Sequence, residues 1–242
     1  MTTHALPQAQ QRFSRRLAAT PAALHVLWLA GGLVLAFLIP FVLADTLELD
    51  RDLYYGMYGA SVIAFFALWL RATDQSLRRL VSRRTALAIG LGLIAAAVLT
   101  LVVYRTEEAT PHPEGIDFVA AIAWRGAFYG AIDGLLLSAF PILAVFAAFA
   151  GTRLRQSKSG TVIVALLALT ASLGMTAVYH AGYSEFRSEK LRQPVAGDVV
   201  WGAPTLLTLN PIGAPIAHIG LHTAAVVHSY ETDTFLPPHP EG

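Results

Sequence analysis

Long runs of apolar residues dominate the chain, separated by short polar breaks. Six of them, at about 24–44, 53–70, 86–104, 117–150, 160–182 and 207–229, reach or approach the ~20 residues a helix needs to cross a hydrocarbon core of ~30 Å. The fourth is too long for one simple crossing and is expected to tilt, bend at Pro141 or project beyond the bilayer. The break at 183–206, with Pro194, Gly197, Trp201 and Pro204, reads as one long loop between the last two runs, a lid, a re-entrant piece or an interfacial belt. The stretches 1–20 and 231–242 read as flexible tails, and Pro237-Pro238 argues against helix in the second. The pattern predicts an all-α fold: a polytopic membrane helix bundle of about six transmembrane helices. It forms a single domain over 23–230, between tails at 1–22 and 231–242.

Composition agrees: 55% of residues are hydrophobic, 14% are charged and the mean hydropathy is +0.55, where a soluble domain averages about one quarter charged. Basic residues set the expected orientation. Arg12, Arg15 and Arg16 precede the first run, Arg71, Arg78, Arg79, Arg83 and Arg84 follow the second, and Arg153, Arg155 and Lys158 follow the fourth. The alternate breaks are acidic, with Asp45, Glu48, Asp50, Asp52, Glu107, Glu108 and Glu114. Positive-inside reasoning puts both termini in the cytoplasm, in a multi-pass protein of a cell membrane, the plasma membrane of a bacterium being the expected one. No cleavable signal peptide is evident, because the first apolar run is long enough to be a true span. The chain has no cysteine, so disulfide and thiolate chemistry are excluded. Topology accounts for the arginine clusters, leaving the lipid bilayer as the expected partner and nothing that points to nucleic acid.

Polar residues inside the runs are then the candidate site, since ionisable groups are costly in lipid. His218 and His222, in Ala217-His218-Ile219-Gly220-Leu221-His222, share one helical face about 6 Å apart along the axis. In the fourth run Asp117, Ala121, Arg125, Tyr129 and Asp133 recur every four residues beside Gly126, Gly130 and Gly134, a small-residue spacing that lets another helix approach closely. Arg125 and Asp133 lie about 12 Å apart on their helix, so partners from other helices are expected. The fifth run ends with Ser172, Thr176 and His180, while His25 and His228 read as interfacial. With the fourth and sixth runs parallel, Arg125, His180, His218, His222 and Asp133 are expected to share one polar pocket open to the outer side.

These residues resemble a known family. Ala120-Ala121-Ile122-Ala123-Trp124-Arg125-Gly126 is similar to the E-E-x-x-W-R-G motif of the CAAX-protease and bacteriocin-processing (CPBP) intramembrane family. Thr176 to His180 falls where that family has F-x-x-x-H, and His218 to His222 where it has H-x-x-x-N. The resemblance covers about 117–228 and implies a CPBP-like helical core. It departs at both motif-one glutamates, which are Ala120 and Ala121, at the motif-two phenylalanine, which is Thr176, and at the motif-three asparagine, which is His222. Alanine cannot act as a general base, so the glutamate-dependent proteolysis implied by the family is not expected here.

Three functions follow as expectations. The first is a non-proteolytic core whose pocket binds a peptide, a lipid or a membrane-protein partner. The second is a zinc-dependent membrane hydrolase with His180, His218 and His222 as ligands and Asp133 or Glu185 as base or supporting acceptor. The third is a protease with a displaced carboxylate from Asp117, Glu107 or Glu108. Haem binding is disfavoured because His218 and His222 are too close on one helix to serve separate haems. Transport is disfavoured because no inverted repeat is present.

Overall fold

The computed structural model describes residues 22–231 and 235–238; the expected tail at 1–20 and the rest of that at 231–242 lie outside the described residues. The expected all-α bundle is what forms. Five helices are long and apolar enough to cross a membrane: α1 (Ala22–Thr46), α2 (Arg51–Ala72), α4 (Thr85–Thr106), α5 (Gly115–Ala148) and α6 (Lys158–Ala181). A short helix α3 (Leu77–Val81) joins α2 to α4, and two further helices follow, α7 (Arg192–Thr208) and α8 (Gly213–His228). The chain is thus a multi-pass membrane protein. Local sequence accounts for several starts: the Asp50 carboxylate accepts from the Asp52 and Leu53 N–H groups at the head of α2, and Ser157 accepts from Gly160 N–H at the head of α6.

Helix α5 is the centre of the bundle. Its apolar window is 78% buried, against no more than 39% for the other long helices, so protein rather than lipid surrounds it. Two π turns, Ile122–Phe128 and Gly134–Ala139, interrupt its α-helical hydrogen bonding. Each widened turn rotates the face that follows, a common device at functional sites. Pro141 contributes to the second, because it has no N–H for the Leu137 carbonyl. The Ser172 hydroxyl of α6 lies 3.1 Å from that carbonyl and 3.0 Å from Asp198 Oδ1, so one proton serves two acceptors.

The structure departs from the expected topology between 183 and 229. The segment read as one outer loop consists of two 3₁₀ turns, Ser184–Phe186 and Glu189–Leu191, and then the 17-residue α7, about 25 Å long and close to a bilayer's depth. At its far end the Asn210 amide donates to the Val81 and Arg83 carbonyls, both at 2.7 Å, while Arg84 Nη1 donates to the Leu207 carbonyl. The turn after α7 therefore sits at the end of the bundle that carries the basic loops. Helix α8 returns from there, and Thr110 N–H donates to the His228 carbonyl at the opposite end. The expectation of a cytoplasmic C-terminal end, on the side of the basic loops, is corrected accordingly: residues 229–231 and 235–238 lie at the opposite, acidic end of the bundle. Hydropathy hides α7 because it packs largely on other helices and can carry Asp198, Gly197, Pro194 and Pro204.

Running opposite to α5, α8 packs on its glycine stripe. A Cβ at Gly126 would lie 2.8 Å from Thr223 Oγ1, one at Gly130 2.8 Å from the His218 carbonyl oxygen, and one at Gly134 2.5 Å from Pro215 Cα. The two backbones approach as closely as the missing side chains allow. Gly130→Ala is expected to destabilise the detergent-purified protein by about 1–3 kcal/mol. Gly90→Ala, whose Cβ would meet nothing within 4 Å, is the control that should leave melting unchanged. The corrected topology has its own check, since the chain has no native cysteine. An impermeant maleimide should label Glu231→Cys and Glu108→Cys from one side of the membrane and Ser159→Cys from the other; labelling of positions 231 and 159 from the same side would refute the return of α8.

Candidate functional site

Three polar side chains meet where α5 and α8 touch. Asp133 Oδ2 lies 3.2 Å from His222 Nε2, and one ligand atom from each of Asp133, His218 and His222 falls within 4.8 Å of the others. All three residues are buried. Side chains lean toward the N-terminus of their own helix, so on antiparallel helices Asp133 and His222 lean toward each other across the Gly130 contact. Each polar contact is then specific. Tyr58 of α2 donates its hydroxyl to Asp133 Oδ1 at 2.8 Å. His222 Nδ1 donates to the Phe235 carbonyl at 2.7 Å, which leaves its Nε2 directed at the carboxylate. Neither nitrogen of His218 has a hydrogen-bond partner among the described residues, and the ring lies against Trp201 with centroids 4.6 Å apart.

The three groups line a cavity of about 230 Å³ that is otherwise mostly apolar. Val98, Leu99 and Val102 of α4 form one wall, and Gly197, Val200 and Trp201 of α7 another. Phe186, Phe235 and Pro237 also line it. His180 is a lining residue too, held by donation from Nδ1 to the Thr176 carbonyl at 2.8 Å.

The geometry redistributes the residues expected from sequence. Asp133, His218, His222 and His180 share the cavity, but Arg125 does not. Its guanidinium makes a two-pronged pair with Asp52, at 2.8 and 2.7 Å, and lies over the Tyr230 ring. It lines a separate polar hollow of about 420 Å³ at the acidic end, together with Asp45, Glu48, Asp50 and Glu185. Arg125 precedes Asp133 by eight residues, about 12 Å along the helix axis, so it reaches the acidic end rather than the cavity. Asp133 rather than His180 is the third group in ligand range of His218 and His222. Of the displaced carboxylates considered, Asp117, Glu107 and Glu108 do not line the cavity. His25, expected at an interface, is fully buried beside Trp69, whereas His228 bonds the Glu107 carbonyl at the acidic end.

Sequence reasoning placed Tyr129 in the stripe but missed the hydrogen-bonded chain of tyrosines that it joins. Tyr183 and Tyr54 hydroxyls lie 2.6 Å apart, Tyr54 and Tyr179 3.0 Å, and Tyr179 and Tyr129 3.0 Å. This buried chain runs from the acidic-end hollow, which Tyr183 lines, to the cavity that Tyr129 lines. The available signal was Tyr54, Tyr55 and Tyr58 within one turn of α2, with Tyr179 and Tyr183 four apart. Asp198, also missed, accepts from Ser138 at 2.7 Å where α5, α6 and α7 join.

Compared with protein-family models, with curated proteins and with solved structures, the chain matches none of them. Removing the hydroxyl that serves Asp133 tests the site's contribution to the fold. Tyr58→Phe is expected to lower unfolding stability by about 1–3 kcal/mol, since a buried carboxylate oxygen loses its donor. Thermal denaturation in detergent reads the change.

Proposed function

We propose that this protein binds an amphiphile from the bilayer, its polar head against His218, Asp133 and His222 and its apolar portion between α4 and α7. One observation carries the reading: a mostly apolar cavity ends on three buried polar groups, and its α4 wall belongs to the lipid-facing surface. Val98 and Val102, which line it, are 44% and 38% exposed, so the cavity borders the bilayer interior. At about 230 Å³ it is smaller than the ~300–1,000 Å³ of drug-sized sites, which suits a head group and the first part of a chain whose remainder stays in lipid. His218 suits a polar head because its two nitrogens are buried without a described partner.

In the same proposal the chain is a divergent relative of the CPBP family. Support for this is the Trp124-Arg125-Gly126 stretch, His180 and His218, carried in the family's order by helices that pack on one another. With alanine at 120 and 121, any acid–base work in this cavity falls to Asp133 and the histidines rather than to the family's glutamates.

Native mass spectrometry of the protein extracted from its membrane tests the reading. An amphiphile of defined mass should accompany the wild type and be lost from Val98→Trp and Val102→Trp, whose indoles fill the cavity. Leu93→Trp, on the same helix and 58% exposed, should keep it. An identical lipid complement in all four proteins would rule the cavity out as the binding site.

A further inference from the structure

We propose that Asp133, His218 and His222 form a binding site for a divalent transition metal, zinc being the ion that this donor set suits best. The site lies at the floor of the same cavity, but the proposal stands whether or not an amphiphile binds there.

Three observations point to a cation. First, His222 has its Nδ1 committed to the Phe235 carbonyl, which only accepts, so that nitrogen carries the proton. In a neutral ring Nε2 is then a bare lone pair, and it faces Asp133 Oδ2 at 3.2 Å. Two acceptors pointed at one another require a positive species between or beside them. Second, His218 is buried with both nitrogens unpartnered among the described residues, as His25 also is, but His218 lines the cavity within ligand range of two other donor groups. Third, the outer contacts match those of metal sites. A histidine ligand usually gives its other N–H to a backbone carbonyl, as His222 does to Phe235, and a carboxylate ligand is usually hydrogen-bonded, as Asp133 is by Tyr58.

Two imidazole nitrogens and one carboxylate oxygen are the donor set of catalytic zinc sites, which keep a fourth position open. Here that position faces the cavity. The ligand atoms lie within 4.8 Å of one another, whereas tetrahedral zinc at ~2.0–2.2 Å from each ligand brings them to about 3.4 Å. The contraction falls to the His218 side chain, which no hydrogen bond holds among the described residues. A dipositive ion also offsets the cost of burying the Asp133 charge. His180 is outside the set, because its Nδ1 is held by Thr176 and no ligand atom of it falls in the group.

The protein is purified through a non-histidine tag without chelator, and its metal content is measured by elemental analysis. The wild type and His180→Gln should hold stoichiometric metal, while His218→Gln, His222→Gln and Asp133→Asn should hold only background. Tyr58→Phe should bind zinc about 10–100-fold more weakly rather than lose it, as expected of a residue that orients a ligand. Should the ligand variants fail to fold, cobalt titration of the chelator-treated wild type decides alone. Saturable visible absorption typical of a tetrahedral site, displaced by zinc, is expected. A wild type that neither retains metal nor shows that absorption overturns the proposal, and assigns the Asp133–His222 contact to a shared proton. Loss of metal in His180→Gln, with retention in Asp133→Asn, overturns the ligand set.

Discussion

The centre of this protein depends on backbone meeting backbone where α8 crosses α5. With glycine at 126, 130 and 134, the helices close until the His218 carbonyl and Pro215 occupy the space a side chain would take. At that separation Asp133 on one helix reaches His222 on the other. Larger residues in the stripe would push the helices apart and leave each ionisable group alone in an apolar interior, where an unsatisfied polar group costs several kcal/mol. The contact requires α8 to run opposite to α5, and that direction requires α7 to traverse the bundle first. Asp198, held by Ser138 and within reach of Ser172, and Asn210, clamped to the Val81 and Arg83 carbonyls, are the polar attachments of α7 and of the turn after it.

Some of the polar groups elsewhere in the bundle satisfy one another. The carbonyl freed by Pro141 has a serine from the next helix, and four tyrosine hydroxyls satisfy one another across α2, α5, α6 and the turn that follows. His218 and His25 are both buried with both ring nitrogens unpartnered among the described residues, but only His218, ringed by Trp201 and His222, lines the cavity. It is the group around which the amphiphile and the metal proposals are both arranged.

How much was legible in the sequence follows from what surrounds each element. Helices α1, α2, α4 and α6 face lipid over much of their surface, so hydropathy alone finds them. The glycine stripe was legible as a packing face, because small residues at four-residue spacing have few other uses in a membrane helix. His218 and His222 were legible as a pair for the reason that lipid excludes such groups. Helix α7 was not, since its neighbours supply partners for Asp198 and its prolines resemble loop signals. Missing α7 also reversed α8 and moved His228 to the wrong end. Arg125 was misplaced for a different reason: its partner is Asp52, 73 positions away at the acidic end, and periodicity within one helix does not show it. The link from Asp133 to Tyr58 joins residues 75 positions apart, which periodicity cannot see.

Residues 235–238 lie beyond the last helix, yet they belong to the interior. Phe235 holds His222 through its carbonyl, Leu236 is fully buried, and the Pro238 carbonyl accepts from Arg51 at the head of α2. A ribosome delivers these residues only after the eight described helices have been made. During synthesis the spans enter the bilayer with His222 still free to turn and one side of the cavity still missing. Assembly of the polar centre is therefore a late event in the life of the nascent chain, set by the order in which residues emerge rather than by the order in which helices find lipid. A chain interrupted at residue 231 would contain all eight described helices and still lack the piece that fixes the orientation of the His222 ring.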